Sequence, residues 1–197
     1  MHEIFSLKVV IFFLSIYITE FYLIINKDPI CPEIISRSQW GGAAPQSVNY
    51  LILPLPYVVI QHTATPACST KVGCSASVEN IRSYHMNDLG WHDIGYSFLI
   101  GGDGNVYEGC GWNREGAHTY GYNKKSIGIG FIGNFQEKKA SEKMVDAAHK
   151  LILCGKAEGI LRDNVRVIAA RQVHATASPG LELFGQIQNW PEWVSTP

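Results

Sequence analysis

Charge is scarce in this chain. Asp, Glu, Lys and Arg make up only 17% of its 197 residues, the formal net charge is −1, and no Lys/Arg block stands out. That scarcity argues against nucleic acid or an anionic membrane surface as the main partner, because both need a concentrated cationic face. No H-E-x-x-H pair is present, so a helix-borne zinc protease has no support. Internal repeats and low-complexity tracts are absent, and nothing argues for more than one domain. With 46% hydrophobic residues the chain can bury a proper core, which excludes wholesale disorder.

What is present begins with an atypical N-terminus. Lys8 precedes an apolar run from Val9 to Ile18, the length of a signal-peptide core rather than of a membrane span. No clean small-x-small cleavage site follows, and apolar residues resume after Glu20 as far as Ile25, so a signal anchor is the alternative. Residues 1–26 are read as this targeting segment, with no membrane span in the mature form. Their removal takes Glu3, Lys8 and Glu20 with it and leaves a neutral domain.

Five cysteines suit an extracellular protein. Cys68 and Cys74 bracket a short polar loop and read as a local staple. Cys31 at the start of the mature chain and Cys154 in an expected helix read as a long-range clasp. Cys110 is left over, as a buried free thiol or an intermolecular bridge, and other pairings stay open.

Residues 27–56, rich in Pro, Ser, Gly and Asn, are expected to pack on the domain as an extended segment anchored by Trp40; the domain proper spans 57–197. A short β-branched run over 57–61 predicts a buried strand ending at His62-Thr63. Helical spacing predicts a helix over 75–87, capped by Ser75 or Ser77. Residues 96–100 and 106–108 flank a Gly-rich turn and predict a hairpin. Ile127–Phe131 alternates apolar residues with glycine, as in a central strand that other groups approach closely. A helix over 141–155 stopped by Gly155, a strand over 165–169 and a last helix capped by Ser178 complete the series. Strands mixed with helices give an α/β fold, one domain with a central mixed β-sheet flanked by helices.

Gly128-Ile129-Gly130-Phe131-Ile132-Gly133 matches G-x-G-x-x-G, yet these glycines lie inside the strand-like run and no helix opens after them. Without a strand-to-helix turn the backbone amides cannot meet a pyrophosphate, so this is a false match. Histidines are more informative. His62 follows a strand, His85 falls late in a helix, and His118 lies in a loop, with Trp91, Tyr96, Trp112, Tyr120 and Tyr122 in the same third of the chain. One such histidine is usually structural; several at loop junctions beside aromatics point to a polar cleft.

Four segments carry a specific resemblance: Val58–Thr63, Tyr84–Phe98, Gly116–Asn123 and Thr176–Gly180. In order and spacing they resemble the peptidoglycan recognition proteins of animals, from Cys31 to the terminus. The resemblance implies a fold related to phage-type zinc amidases, a peptide-binding groove on one face, and the Cys68–Cys74 staple. Amidases of the family hold zinc with two histidines and a cysteine, and a tyrosine assists. His62 matches the first ligand and Tyr96 the tyrosine. Ala170 stands where the second histidine is expected, and Ser178 where the cysteine is expected. A methyl group cannot ligate, and a neutral hydroxyl replaces a thiolate poorly. No metal and no cofactor is therefore expected; His174 reads as an exposed loop residue rather than a substitute ligand.

By the same resemblance His62, Thr63, His85, Gly90, Trp91, Tyr96, Cys110, His118, Asn123 and Thr176 fall at or beside positions that contact the stem peptide or muramic acid. Gly90-Trp91 matches the pair associated with diaminopimelate, whereas Cys110 replaces the arginine that would bind its extra carboxylate. The two markers disagree and leave the peptide type open. Residues 165–197 look most like the short secreted insect members that trigger the Toll pathway. The expectation is a secreted, non-catalytic receptor of innate immunity for bacterial peptidoglycan, acting with other extracellular recognition proteins or proteases. The alternative is an atypical peptidoglycan hydrolase, either a rescued zinc amidase or a Ser178-dependent peptidase.

Overall fold

A computed structural model describes residues 31–197, and the expected targeting segment lies outside the described residues. Six strands form one mixed sheet: β1 (Ile34–Ile35), β2 (Leu55–His62), β3 (Phe98–Ile100), β4 (Val106–Glu108), β5 (Ser126–Phe131) and β6 (Leu161–Ala169). Their order is β1-β4-β3-β5-β2-β6. Only the β3–β4 hairpin is antiparallel; the other neighbours run parallel. Among the described residues three α-helices accompany them: α1 (Lys71–Ser83), α2 (Glu142–Ala157) and α3 (Leu181–Ile187). The single α/β architecture and mixed central sheet expected from sequence are observed.

Because side chains alternate across a strand, β2 serves two layers at once. Val58 and Ile60 join Ile127, Ile129 and Phe131 against Met144, Ala148 and Leu151 of α2. Tyr57 and Val59 face the other way, with Ile168 and Ala170. Helix α1 covers part of the sheet through Cys74, Val78 and Ile81, which pack on Leu99, Tyr107 and Ile132.

Several boundaries differ from the sequence expectation, each for a local reason. Helix α1 starts at Lys71 because Thr70 Oγ1 accepts from the Gly73 amide at 3.2 Å; Ser77 lies inside and donates back to the Gly73 carbonyl. The helix then widens into a π-turn over Tyr84–Asp88. Helix α2 runs past Gly155, which is close-packed on Leu161 and Trp112, and the chain turns instead at Gly159, whose φ is +67°. Helix α3 begins at Leu181 after Gly180, since the Ser178 hydroxyl is bonded elsewhere.

Both expected disulfides form, Cys31–Cys154 and Cys68–Cys74, and Cys110 is free and buried. Residues 31–54 lie in the same compact unit as the rest of the described chain. They supply edge strand β1 and Trp40, which is buried and donates from Nε1 to the Glu108 carbonyl at 2.8 Å. Strand β2 starts two residues before the expected boundary at 57.

Candidate functional site

The site is built on the sheet face that Val59 and Gln61 share. Their register partners on β5 are Gly128 and Gly130. With no side chain there, two rings settle on the strand: a Cβ at Gly128 would lie 2.4 Å from the His118 ring, and one at Gly130 3.0 Å from Tyr96. This is the close approach that the glycine alternation predicted: these glycines lie inside a strand and seat rings.

Neighbouring residues hold the rings in place. Gln61 Nε2 donates to the His118 carbonyl at 2.7 Å and to Thr119 Oγ1 at 3.0 Å. Asn123 Oδ1 accepts from the Thr119 amide at 2.7 Å, which fixes the turn after His118. His85 packs between Trp91 and Tyr96, with ring centroids 4.6 and 5.6 Å away. Its Nδ1 accepts from the Gly95 amide at 3.0 Å, so the neutral ring carries its proton on Nε2. The loop after Gly90 is anchored from below by Asp93, which binds both Arg37 and Arg82.

Desolvation governs the titratable groups. Burial lowers His85 to about 4, with the Asp93 charge opposing the shift, and lowers His118 to about 4. Burial also lowers His62 and raises the Tyr96 phenol to about 12. At neutral pH the floor and wall are therefore uncharged hydrogen-bonding groups. Gln61 Oε1 is buried without a hydrogen-bond partner among the described residues, and His118 Nε2 is buried as well; neither residue lines the hollows that flank His85, so both support the rings from behind.

Thr63, His85 and Tyr96 come together in a cleft of about 470 Å³, with Ser77, Asn80 and Tyr84 of the α1 region on the opposite bank. Gly90, Trp91, Cys110 and Asn123 line a second hollow of about 360 Å³. The His85–Trp91 stack stands between the two. Cys110 is buried; its thiol donates to the Ile94 carbonyl, and burial raises it to about 12. Thr176 lies on an exposed loop, where its Oγ1 accepts from the Ser178 amide. Sequence reasoning missed Gln61, Ser77 and Asn80. Spacing on α1 held the signal for the last two, because Ser77, Asn80 and Tyr84 recur at three and four residues and so share one helix face.

At the ends of β2 and β6 the surroundings differ. The His62 amide donates to Ser178 Oγ at 3.0 Å, and His62 Nδ1 accepts from the Phe135 amide at 3.2 Å. Ala170 is 1% exposed and packs with Tyr57, Val59 and Ile168. His174 is exposed on the loop between Ala170 and Ser178. Among the described residues, no group of three or more His, Cys, Asp or Glu side chains is placed to hold a metal ion.

Comparison with known proteins accords with this geometry. Residues 53–181 match the N-acetylmuramoyl-L-alanine amidase family. Peptidoglycan-recognition protein 2 of Holotrichia diomphalia is 48% identical over 167 residues, covering 85% of this chain and 89% of that protein. The structure of bumblebee PGRP-SA superposes with a TM-score of 0.84 at 68% identity, covering 85% of this chain and all of that one. A complex of the PGRP-LCa and PGRP-LCx ectodomains with tracheal cytotoxin matches at a TM-score of 0.81 and 45% identity, covering 82% of this chain and 98% of that one. The chain belongs to the peptidoglycan recognition proteins, a family built on the N-acetylmuramoyl-L-alanine amidase fold.

Proposed function

We propose that this protein is a secreted receptor that holds the stem peptide of bacterial peptidoglycan in its cleft without hydrolysing it, and relays that binding to a Toll-type defence cascade through extracellular partner proteins. The observation that carries the reading is the stack in which His85 lies between Trp91 and Tyr96 at the join of two hollows. A muropeptide offers amides, carboxylates and sugar hydroxyls, which fit a wall of aromatic faces and fixed neutral donors and acceptors. Support comes from the related ectodomain complex that was solved with tracheal cytotoxin bound.

The residues at the strand-end corner do not fit the zinc ion of the family's amidases. The Nδ1 of His62 is engaged by an amide, Ala170 offers no lone pair, and Ser178 Oγ is bonded to the His62 backbone. One free imidazole nitrogen is not a tetrahedral site. The same bond weighs against a serine nucleophile, because the partner of Ser178 Oγ is an amide and not a base. Two disulfides favour an oxidising compartment, and among the described residues no helix is long and apolar enough to cross a membrane.

Retention on insoluble peptidoglycan tests the reading. His85→Ala and Tyr96→Ala are each expected to weaken retention by more than about tenfold, as for buried aromatic anchors; wild-type retention by both would overturn the groove. Purified protein is expected to release no stem peptides, and release that depends on bound zinc would overturn the non-hydrolytic part. Peptide release abolished by Ser178→Ala would establish the serine alternative instead.

A further inference from the structure

Beyond Trp91 the groove continues. The hollow that Gly90 and Trp91 line shares Glu115 and Asn123 with a neighbouring hollow of about 340 Å³, whose other walls are Tyr120, Gly121 and Lys124. The sequence motifs singled out neither Glu115 nor Lys124, and Tyr120 entered only among the aromatics clustered near the histidines.

Three features set this extension apart from ordinary surface. Tyr120 is 88% exposed, yet it sits on a turn that is fixed at both ends. The Tyr122 and Asn123 amides both donate to the Thr119 carbonyl, and Asn123 Oδ1 takes the Thr119 amide. The backbone that carries the ring is thus ordered before anything stacks on it, which lowers the entropic cost of binding there. Second, the hollow carries one anion and one cation, and no ion pair engages either Glu115 or Lys124 among the described residues. Third, Glu115 stands on the shared wall, nearer the cleft, whereas Lys124 belongs to the outer hollow alone. The order of charges along the groove is thus negative, then positive.

We propose that this outer hollow is a subsite for the C-terminal end of a stem peptide, in which Glu115 pairs with a free side-chain ammonium and Lys124 with the terminal carboxylate, while Tyr120 covers the residue between them. The inference rests on the stem-peptide reading above and deepens it. A peptide whose side-chain amine is acylated by a cross-link, or whose carboxylate is amidated, lacks one of the two charges. The receptor then distinguishes free stem-peptide ends from cross-linked ones.

Calorimetric titration with three synthetic lysine-containing muropeptides tests this: one with free amine and free carboxylate, one Nε-acetylated, one ending in a carboxamide. For the intact protein each modification is expected to weaken binding about fivefold, the scale of a solvent-exposed ion pair. Glu115→Gln should become indifferent to acetylation yet stay sensitive to amidation, and Lys124→Gln should show the reverse. Equal sensitivity of both variants and wild type to both modifications would overturn the proposal. His85→Ala separates the two levels. If it abolishes binding while Glu115→Gln and Lys124→Gln change nothing, only the outer subsite is wrong; if all three variants bind as wild type, the stem-peptide reading fails as well.

Discussion

The aromatic wall around His85 and the strand-end corner around His62 stand on the same sheet, yet they are finished in opposite ways. At the wall, rings rest on glycines, and His85, Tyr96 and Trp91 line open hollows. At the corner an alanine is sealed in an apolar cluster, a serine hydroxyl is tied to a backbone amide, and the histidine ring takes another amide. Aromatic and polar side chains left open to a hollow can serve a ligand, whereas hydrogen bonds spent inside the chain hold the fold together. Under the proposed function the wall serves recognition and the corner serves architecture.

The most severe way to break that contrast is to fill the wall's floor. Gly128→Val would drive a branched side chain into the His118 ring, and overpacking of that kind costs about 3 kcal/mol. Urea unfolding should show that loss together with lost peptidoglycan retention; a neutral result would mean that the ring does not rest there.

Acid probes the same rings without a mutation. His85 and His118 are lowered to about 4 and His62 is lowered as well, so each binds its proton less readily folded than unfolded. Stability is then full above about pH 6.5 and falls as the pH drops towards 4, by up to about 1.4 kcal/mol per pH unit for each of His85 and His118, with His62 acting in the same direction. Unfolding measured between pH 7 and 4 checks the slope. His85→Gln should make it shallower by about one proton's worth, and an unchanged slope would contradict the burial assigned to that ring.

Ser178→Ala sharpens the other half of the comparison. It removes one hydrogen bond to the His62 amide, so about 1 kcal/mol of stability should go, with peptidoglycan retention intact. Lost retention at unchanged stability would move Ser178 from the architecture to the ligand. The smallest effect is expected at exposed His174, where alanine should shift stability by less than about 0.5 kcal/mol and leave retention alone.

Much of the wall was legible in the sequence, because its residues sit at strand ends, at a glycine alternation and in runs with a recognisable order. The central strand, the hairpin and the apolar face of α2 follow from periodicity alone. Less legible was whatever depends on which partner a polar group finds. Ser178 reads as a helix cap until the His62 amide takes its hydroxyl. Ser75 and Ser77 read as caps because the apolar stripe was started one turn late, past the disulfide-bonded Cys74. Glu115 and Lys124 carry no local pattern at all, and only the turn between them brings them to one hollow.

The short strand β1 has a consequence for how the molecule behaves in a reducing environment. Two residues cap the outer side of β4, and three positions upstream Cys31 is bolted to the last turns of α2. So brief a ladder has little hold of its own, and the covalent bolt keeps it in position together with Trp40 and Arg37, which bond to Glu108 and Gly109 at the end of β4. With the bolt cut, β4 would present bare backbone to its neighbours in solution, the usual start of strand-to-strand aggregation. Colloidal stability is therefore expected to fall in a reducing environment.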